Sequence, residues 1–244
     1  MFYKLNLMET AKKIKIILGI IYFLILFIFL WSFFSIFSID EISSYEFIKK
    51  NRQLLLDFKE NNFLLIALMF LIMCIVWVFL LGFGVPVALL GGFIFGKWFG
   101  TLIVAFSLTV GATCLYFFAN FFLKDFIREK FEKRFGKIID KFKKNEFLYF
   151  SIYRFVGGIP FAIQNVLPIL FNIKFKNYFF GSLLGMMPGL FVIASLGSGL
   201  EKIIDENLEQ PSFFDLIKSQ EIFIPIIGFL FLFIITFIIR KKLN

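Results

Sequence analysis

Long uncharged apolar runs alternate with short charged stretches along the whole chain. Ile16–Ile39 carries no charge, Asp40–Asn62 is polar, and Phe63–Phe83 is apolar again and runs directly into GFGVPVALLGGFIFGKWFG, residues 82–100. Thr101–Leu123 is a further apolar run, followed by the charged stretch Lys124–Lys144. Ser151–Phe171 is apolar but interrupted, Tyr178–Leu196 is apolar, Glu201–Glu221 is acidic, and Ile222–Ile239 ends on Arg240, Lys241 and Lys242. A helix needs ~20 apolar residues to cross a bilayer, so this is the pattern of a multi-pass integral membrane protein. The first run is longer than the ~7–15-residue apolar core of a signal peptide and reads as a retained span.

Ser151–Phe171, SIYRFVGGIPFAIQNVLPILF, departs most from that pattern. It carries Arg154, Gln164 and Asn165, and Gly157, Gly158, Pro160 and Pro168 break it. Irregular backbone at membrane depth survives only where protein or a wet cavity surrounds it. An ionisable group there marks a functional site by default. The stretch therefore predicts an embedded polar site on a broken, re-entrant helix pair.

Charge sets the expected topology, because Lys and Arg accumulate in cytoplasmic loops. Residues 124–144 hold nine basic and four acidic residues, whereas 40–62 hold four and five, and 201–221 two and six. The N-terminus (Lys4, Lys12, Lys13 and Lys15 against Glu9), 124–144 and the C-terminus are thus expected inside. These signs agree only if two units, about 63–97 and 146–172, enter and leave by the same face. Four full crossings remain, at 16–39, 101–123, 178–196 and 222–239. Apolar residues within 124–144 recur at near-helical spacing, which predicts an amphipathic helix along the membrane surface.

An internal repeat supports this arrangement. Gly84-Val-Pro86-Val-Ala-Leu89 matches Gly158-Ile-Pro160-Phe-Ala-Ile163 at an offset of 74, which also pairs Gly111 with Gly185. Inverted repeats of broken helices meeting near the midplane are a transporter architecture. Gly92, Gly96 and Gly100, like Gly181, Gly185 and Gly189, fall four apart, a spacing that makes smooth stripes for close helix packing.

Composition narrows the chemistry. The chain contains no histidine, which removes His-based triads, His zinc sites and His proton relays. Cys74 and Cys114 fit no metal motif and read as small buried hydrophobes. The apolar runs show no paired carboxylates and no nucleophile motif, so an enzyme, a metal and a cofactor are not expected. The formal charge of +9 is accounted for by membrane orientation rather than by nucleic acid.

The ordered set Gly91-Gly92-x-x-Phe95-Gly96-x-x-x-Gly100, then Arg154…Pro160-Phe161…Asn165, then Gly181-x-x-x-Gly185-x-x-Pro188-Gly189…Leu196-Gly197 resembles the DedA/VTT superfamily, the SNARE-associated Golgi proteins, in its bacterial branch. The resemblance covers roughly 63–200. It implies two re-entrant helices facing each other and movement of lipid, a phospholipid or a polyprenyl phosphate, between leaflets. Relatives often carry Pro where this chain has Gly157, and Arg where it has Asn120. Proton-coupled relatives carry an acidic residue in or beside the first re-entrant segment, yet no Asp or Glu lies between Asn61 and Lys124. Transport without strict proton coupling is therefore expected.

Arg154 has two readings, an anchor for freed carbonyls or a headgroup site, and the planar guanidinium suits a phosphate. Asn165 and Gln164 serve either as helpers or as partners for backbone freed by Pro160 and Pro168. Lys97 is expected to anchor at the interface, and Glu146 to pair with Arg154 or the basic loop. The expected fold is an all-α integral membrane protein: an inverted repeat of two re-entrant broken helices, each followed by a transmembrane helix, with flanking N- and C-terminal spans. Residues 1–62 form an anchor and outer loop, 63–200 the repeat domain, and 201–244 an outer loop and last helix. A scramblase- or flippase-like lipid transporter of the cell (plasma or inner) membrane is expected, with homo-oligomerisation left open. A secondary transporter of a small anion or metal ion, or a membrane-assembly scaffold, are the alternatives.

Overall fold

The computed structural model describes residues 17–29, 31–32, 57, 60–206 and 218–243, with backbone alone for 131–138, 140, 141 and 240–243. The basic N-terminus and most of the loops 40–62 and 201–221 lie outside the described residues. The chain divides into two units, Met1–Lys50 and Asn51–Asn244. The first contains an apolar helix, α1 (Ile17–Phe29). In the second, every described element is a helix or a turn.

α2 (Phe63–Phe79) stops where Leu81 takes a φ of +65°. There Trp77 Nε1–H donates to the Phe83 carbonyl at 2.8 Å, closing the turn. α3 (Gly84–Lys144) then begins, with Pro86 in its first turn, where a missing N–H loses no partner. Its one interior break is Gly96, at φ 74° and ψ 171°, a conformation essentially restricted to glycine. The chain reverses there. A methyl on Gly100 would strike the Gly91 carbonyl, and one on Gly91 would strike Val104. Residues 84–95 thus lie antiparallel to the start of the long segment after Gly96.

The same sequence of events recurs. α4 (Glu146–Val156) is capped by Asn145, whose Oδ1 accepts from the Leu148 N–H at 3.1 Å. It ends at Gly157 and Gly158, with φ of +57° and +76°. α5 (Phe161–Val166) starts after Pro160 and tightens into a 3-10 turn, Leu167–Phe171, which contains Pro168. Asn172, in the left-handed region, leads into α6 (Phe175–Glu206). Helix, break, short helix, turn and long helix therefore occur twice.

The two long helices run antiparallel: Trp98 lies 4.8 Å from Phe191, and Phe117 lies 5.8 Å from Phe175, between ring centroids. Since each hairpin precedes its long helix, the hairpins enter from opposite ends of the bundle. Their inner ends approach where the Phe161 ring comes within 3.9 Å of a methyl built on Gly84. Pro160 borders the break in the second copy, whereas Pro86 lies past the break in the first, at 80–83. Both prolines are exposed.

Among the described residues, three helices are long and apolar enough to cross a membrane: Gly84–Lys130, Phe175–Glu206 and Gln220–Ile239. The last belongs to α7 (Gln220–Leu243). Large apolar side chains such as Phe231, Phe233 and Ile234 cover its outer face, as expected for contact with lipid. Residues 124–144 are helical, but as an unbroken continuation of α3 rather than as a separate surface helix. Nothing between Gly111 and Gly136 breaks the ladder, because that interval contains neither Gly nor Pro.

Glycines set the closest contacts. Methyls on Gly92 and Gly197 would strike the Ala194 and Leu89 carbonyls, so 84–95 packs backbone-to-backbone on the end of α6. Gly111 and Gly185, paired by the repeat, do the same job: a methyl would come 2.8 Å from the Ile75 carbonyl oxygen and 2.5 Å from that of Ser151. Two regular stripes read from spacing need correction. Gly92, Gly96 and Gly100 do not share one helix face, because the chain turns at Gly96 and brings Gly100 back against Gly92. Gly181 packs on Phe150, but Gly189 meets nothing within 4 Å, since α4 has already ended at Gly157.

These contacts predict separable effects on thermal stability in detergent. Gly96→Ala should lose about 1–3 kcal/mol from backbone strain alone. Gly92→Ala and Gly197→Ala should each destabilise by forcing the same helix pair apart, and together by less than their sum. Gly189→Ala should be neutral or slightly stabilising.

Candidate functional site

Arg154 ends α4 just before the Gly157–Gly158 break, and it is 3% exposed. Its Nε–H donates to Ser182 Oγ at 3.0 Å, one Nη to Asn165 Oδ1 at 2.6 Å, and the other to the Tyr178 hydroxyl at 2.7 Å. The guanidinium also lies over two rings, 5.2 Å from the Phe150 centroid and 5.1 Å from that of Tyr178. Arg154, Asn165 and Ser182 come from α4, α5 and α6. The break at 157–160 lets Asn165 fold back beside Arg154, and the first turns of α6 supply Tyr178 and Ser182.

Tyr178 ties this cluster to the other repeat. It is fully buried, and its hydroxyl faces the carbonyls of Ala112 at 3.1 Å and Asn165 at 3.0 Å. Its ring stacks on Tyr116 at 4.3 Å and on Phe150 at 4.9 Å. Tyr116 in turn donates to the Ile173 carbonyl at 3.1 Å. A buried charge is normally paired, yet among the described residues no carboxylate lies within ion-pair distance of Arg154. Neutral oxygens and ring faces do the work of a counter-ion.

Donors outnumber acceptors here. A guanidinium carries five N–H groups, and the three bonds above leave two of them over. Asn165 is fully buried, and its Nδ2 has no partner. The chemistry left open is acceptance of an anion.

The other expected residues divide clearly. Gln164, also buried, donates to the Tyr153 carbonyl at 3.0 Å, and the Tyr153 hydroxyl returns a bond to the Gln164 carbonyl at 3.1 Å. It fastens the hairpin arms together and does not touch Arg154. Glu146 accepts from the backbone N–H of Lys174, tying the entry of the hairpin to its exit. Lys97 follows the Gly96 turn and is exposed. Pro188 lies inside α6 on an exposed face. No group of three or more His, Cys, Asp or Glu side chains among the described residues is placed to hold a metal ion.

Sequence reasoning missed Tyr178 and Ser182. Their signal was present: Ser182 adjoins Gly181, and Tyr178 precedes it by one turn. They stand on the same face as the glycines that let α4 approach.

Fold and site together define a polytopic, all-helical membrane protein, a duplicated hairpin-and-span unit closed around one buried arginine. The VTT domain family matches residues 78–199, from the last residues of α2 into α6, and the chain belongs to this family, the DedA family. It is 26% identical over 162 residues to the transmembrane protein 41 homolog of Caenorhabditis elegans, covering 64% of this chain and 65% of that protein. The transmembrane protein 41 homolog of Dictyostelium discoideum is 24% identical over 204 residues, 81% and 58% of the two chains. The uncharacterized protein YqeD of Bacillus subtilis is 28% identical over 114 residues, 46% and 55%. The matches thus span between about half and two thirds of the curated relatives' lengths. No solved structure matches the chain.

The hub position of Tyr178 yields a prediction. Tyr178→Phe keeps the rings stacked but removes the hydroxyl, and it should cost about 1.5–3 kcal/mol, the range for a bond to a charged group. Ser182→Ala should cost less, because Arg154 keeps its bonds to Asn165 and Tyr178. Thermal unfolding of both variants in detergent checks the order; equal stability of Tyr178→Phe and wild type would remove Tyr178 from the hub.

Proposed function

We propose that this protein moves lipids between leaflets, with the phosphate of a phospholipid or polyprenyl phosphate passing between the hairpins while its chains stay in the bilayer. The observation that carries this reading is Arg154, a buried cation with no carboxylate partner among the described residues and with N–H donors to spare beside the unpartnered Asn165 Nδ2. Arg154 and Asn165 are the headgroup site in this reading, and Gln164 keeps the hairpin arms in register. The described conformation is then the closed one, in which Ser182, Asn165 and Tyr178 stand in for phosphate oxygens. Opening exchanges some of these bonds for a bidentate pair with phosphate, which the planar guanidinium makes well.

The two hairpins are re-entrant in this reading, entering the bilayer from opposite faces and ending near its middle. The N-terminus, 124–144 and the C-terminus face the cytoplasm of a cell whose plasma or inner membrane holds the protein. With no Asp or Glu between Asn61 and Lys124, the first hairpin has no carboxylate to couple exchange to protons, and exchange runs passively.

Leaflet exchange of fluorescent phospholipid and polyprenyl phosphate in proteoliposomes tests the site. Wild type should equilibrate the leaflets with or without an imposed pH difference. Arg154→Lys, a point charge without the fork, should be impaired, and Arg154→Gln nearly inactive. Strict dependence on the gradient would discard the passive mechanism, and full activity of inserted Arg154→Gln would make Arg154 an anchor. Topology is read separately, by thiol labelling of Phe135→Cys in a chain with Cys74 and Cys114 replaced by Ala. Labelling from the cytoplasmic side alone is expected, and labelling from outside would invert the scheme.

A further inference from the structure

An open cavity lies away from Arg154. A cavity of about 310 Å³ separates α6 from α7 at the end of the bundle where the chain turns at Gly96. Lys97, Lys202 and Glu221 line it, together with Ser195 and the apolar Phe191, Ile224 and Pro225. Ser195 lies 13 residues beyond Ser182 on α6, roughly 20 Å along the axis at ~1.5 Å per residue. The volume falls at the lower end of the range for small-ligand sites, ~300–1,000 Å³.

Three observations say what fits. First, the charge is positive and available: Lys97 has no ion-pair partner among the described residues, and Lys202 meets Glu221 only at 3.7 Å on an open surface. Exposed pairs of that kind are weak and exchange readily. Second, Trp98 adjoins Lys97, is 67% exposed and packs against Phe191, which forms part of the wall. Exposed Trp beside Lys marks the membrane–water boundary. Third, the rest of the lining is largely apolar, with Val192, Ile224 and Pro225 beside Gly228, which adds no side chain to the space.

We infer that this cleft is a second binding site, taking the phosphate headgroup of a membrane amphiphile between Lys97 and Lys202 with its chain laid along Ile224 and Gly228. The site is independent of the Arg154 reading, since none of its lining residues touches Arg154. Glu221 competes with the phosphate for Lys202, so the cleft prefers a headgroup that also offers a hydroxyl or an ammonium to that carboxylate.

Native mass spectrometry of the full-length protein in neutral detergent tests this, with phosphatidylglycerol and phosphatidylethanolamine titrated against a diacylglycerol of the same chains. Wild type should retain the phospholipids and not the diacylglycerol. The double variant Lys97→Gln/Lys202→Gln should bind them about tenfold more weakly, the loss of one to two charge-assisted bonds. Lys97→Arg/Lys202→Arg should restore binding, and Arg154→Gln should leave it unchanged. All these positions outside the Arg154 site are exposed, so the folded state is preserved. Displacement by millimolar inorganic phosphate would keep the phosphate assignment but move its source from lipid to solution. Unchanged binding in the double Gln variant, or equal retention of diacylglycerol, would overturn the proposal.

Discussion

The structure depends on how one positive charge is kept inside an apolar bundle. A lone cation at mid-membrane costs about 2.5–3.5 kcal/mol or more. Arg154 offsets this without a carboxylate, through three neutral oxygens and the faces of Phe150 and Tyr178. Each partner requires a particular element of backbone. Asn165 reaches Arg154 only because the chain breaks at Gly157 and Gly158. Ser182 does so only because Gly181 and Gly185 let α4 lie close on α6. Tyr178 extends the dependence to the first repeat through the Ala112 carbonyl, so moving either hairpin disturbs the charge held between them.

Duplication explains why that charge sits at the centre. Two copies of one hairpin-and-span unit, packed antiparallel, bring their short arms together in the middle and send their entry ends apart. Each short arm then lies against the other copy's span as well as its own: 84–95 on α6 through Gly92 and Gly197, and the second hairpin under Ala112 through Tyr178. Glycine fixes these distances because any Cβ would meet backbone, which does not yield as a side chain does. The copies differ where function would be expected to differ. Position 154 has a cation, whereas the first hairpin has no Asp, Glu, Lys or Arg between Phe63 and Gly96.

Much of this was legible in the sequence, for physical reasons. Run length and the loop charges marked a helical membrane protein, and positive φ demands at Gly157 and Gly158 were visible as a Gly pair before a proline. The offset of 74 found the duplication and even the matched roles of Gly111 and Gly185. Spacing failed where it assumed that a helix continues. Four-residue intervals at Gly92, Gly96 and Gly100 look like a stripe, but Gly96 takes a positive φ that glycine alone adopts readily, and the chain turns there. The same assumption erred in the other direction at 124–144, where a change from apolar to charged residues suggested a new element although no residue ended the old one. Tyr178 and Ser182 were missed because a hydroxyl in an apolar span has no distinctive spacing, and only the fold shows what it faces.

In the proposed function, phosphate headgroups reach Arg154 between the hairpin tips. Photolabelling in vesicles with phospholipid bearing a diazirine on the headgroup, followed by peptide mapping, reads this directly. Adducts should fall within 154–165 and near Gly84, and should disappear in Arg154→Gln while labelling of the helix ends persists. Headgroup adducts confined to the helix ends, with only acyl-chain diazirines reaching the middle of the bundle, would contradict it.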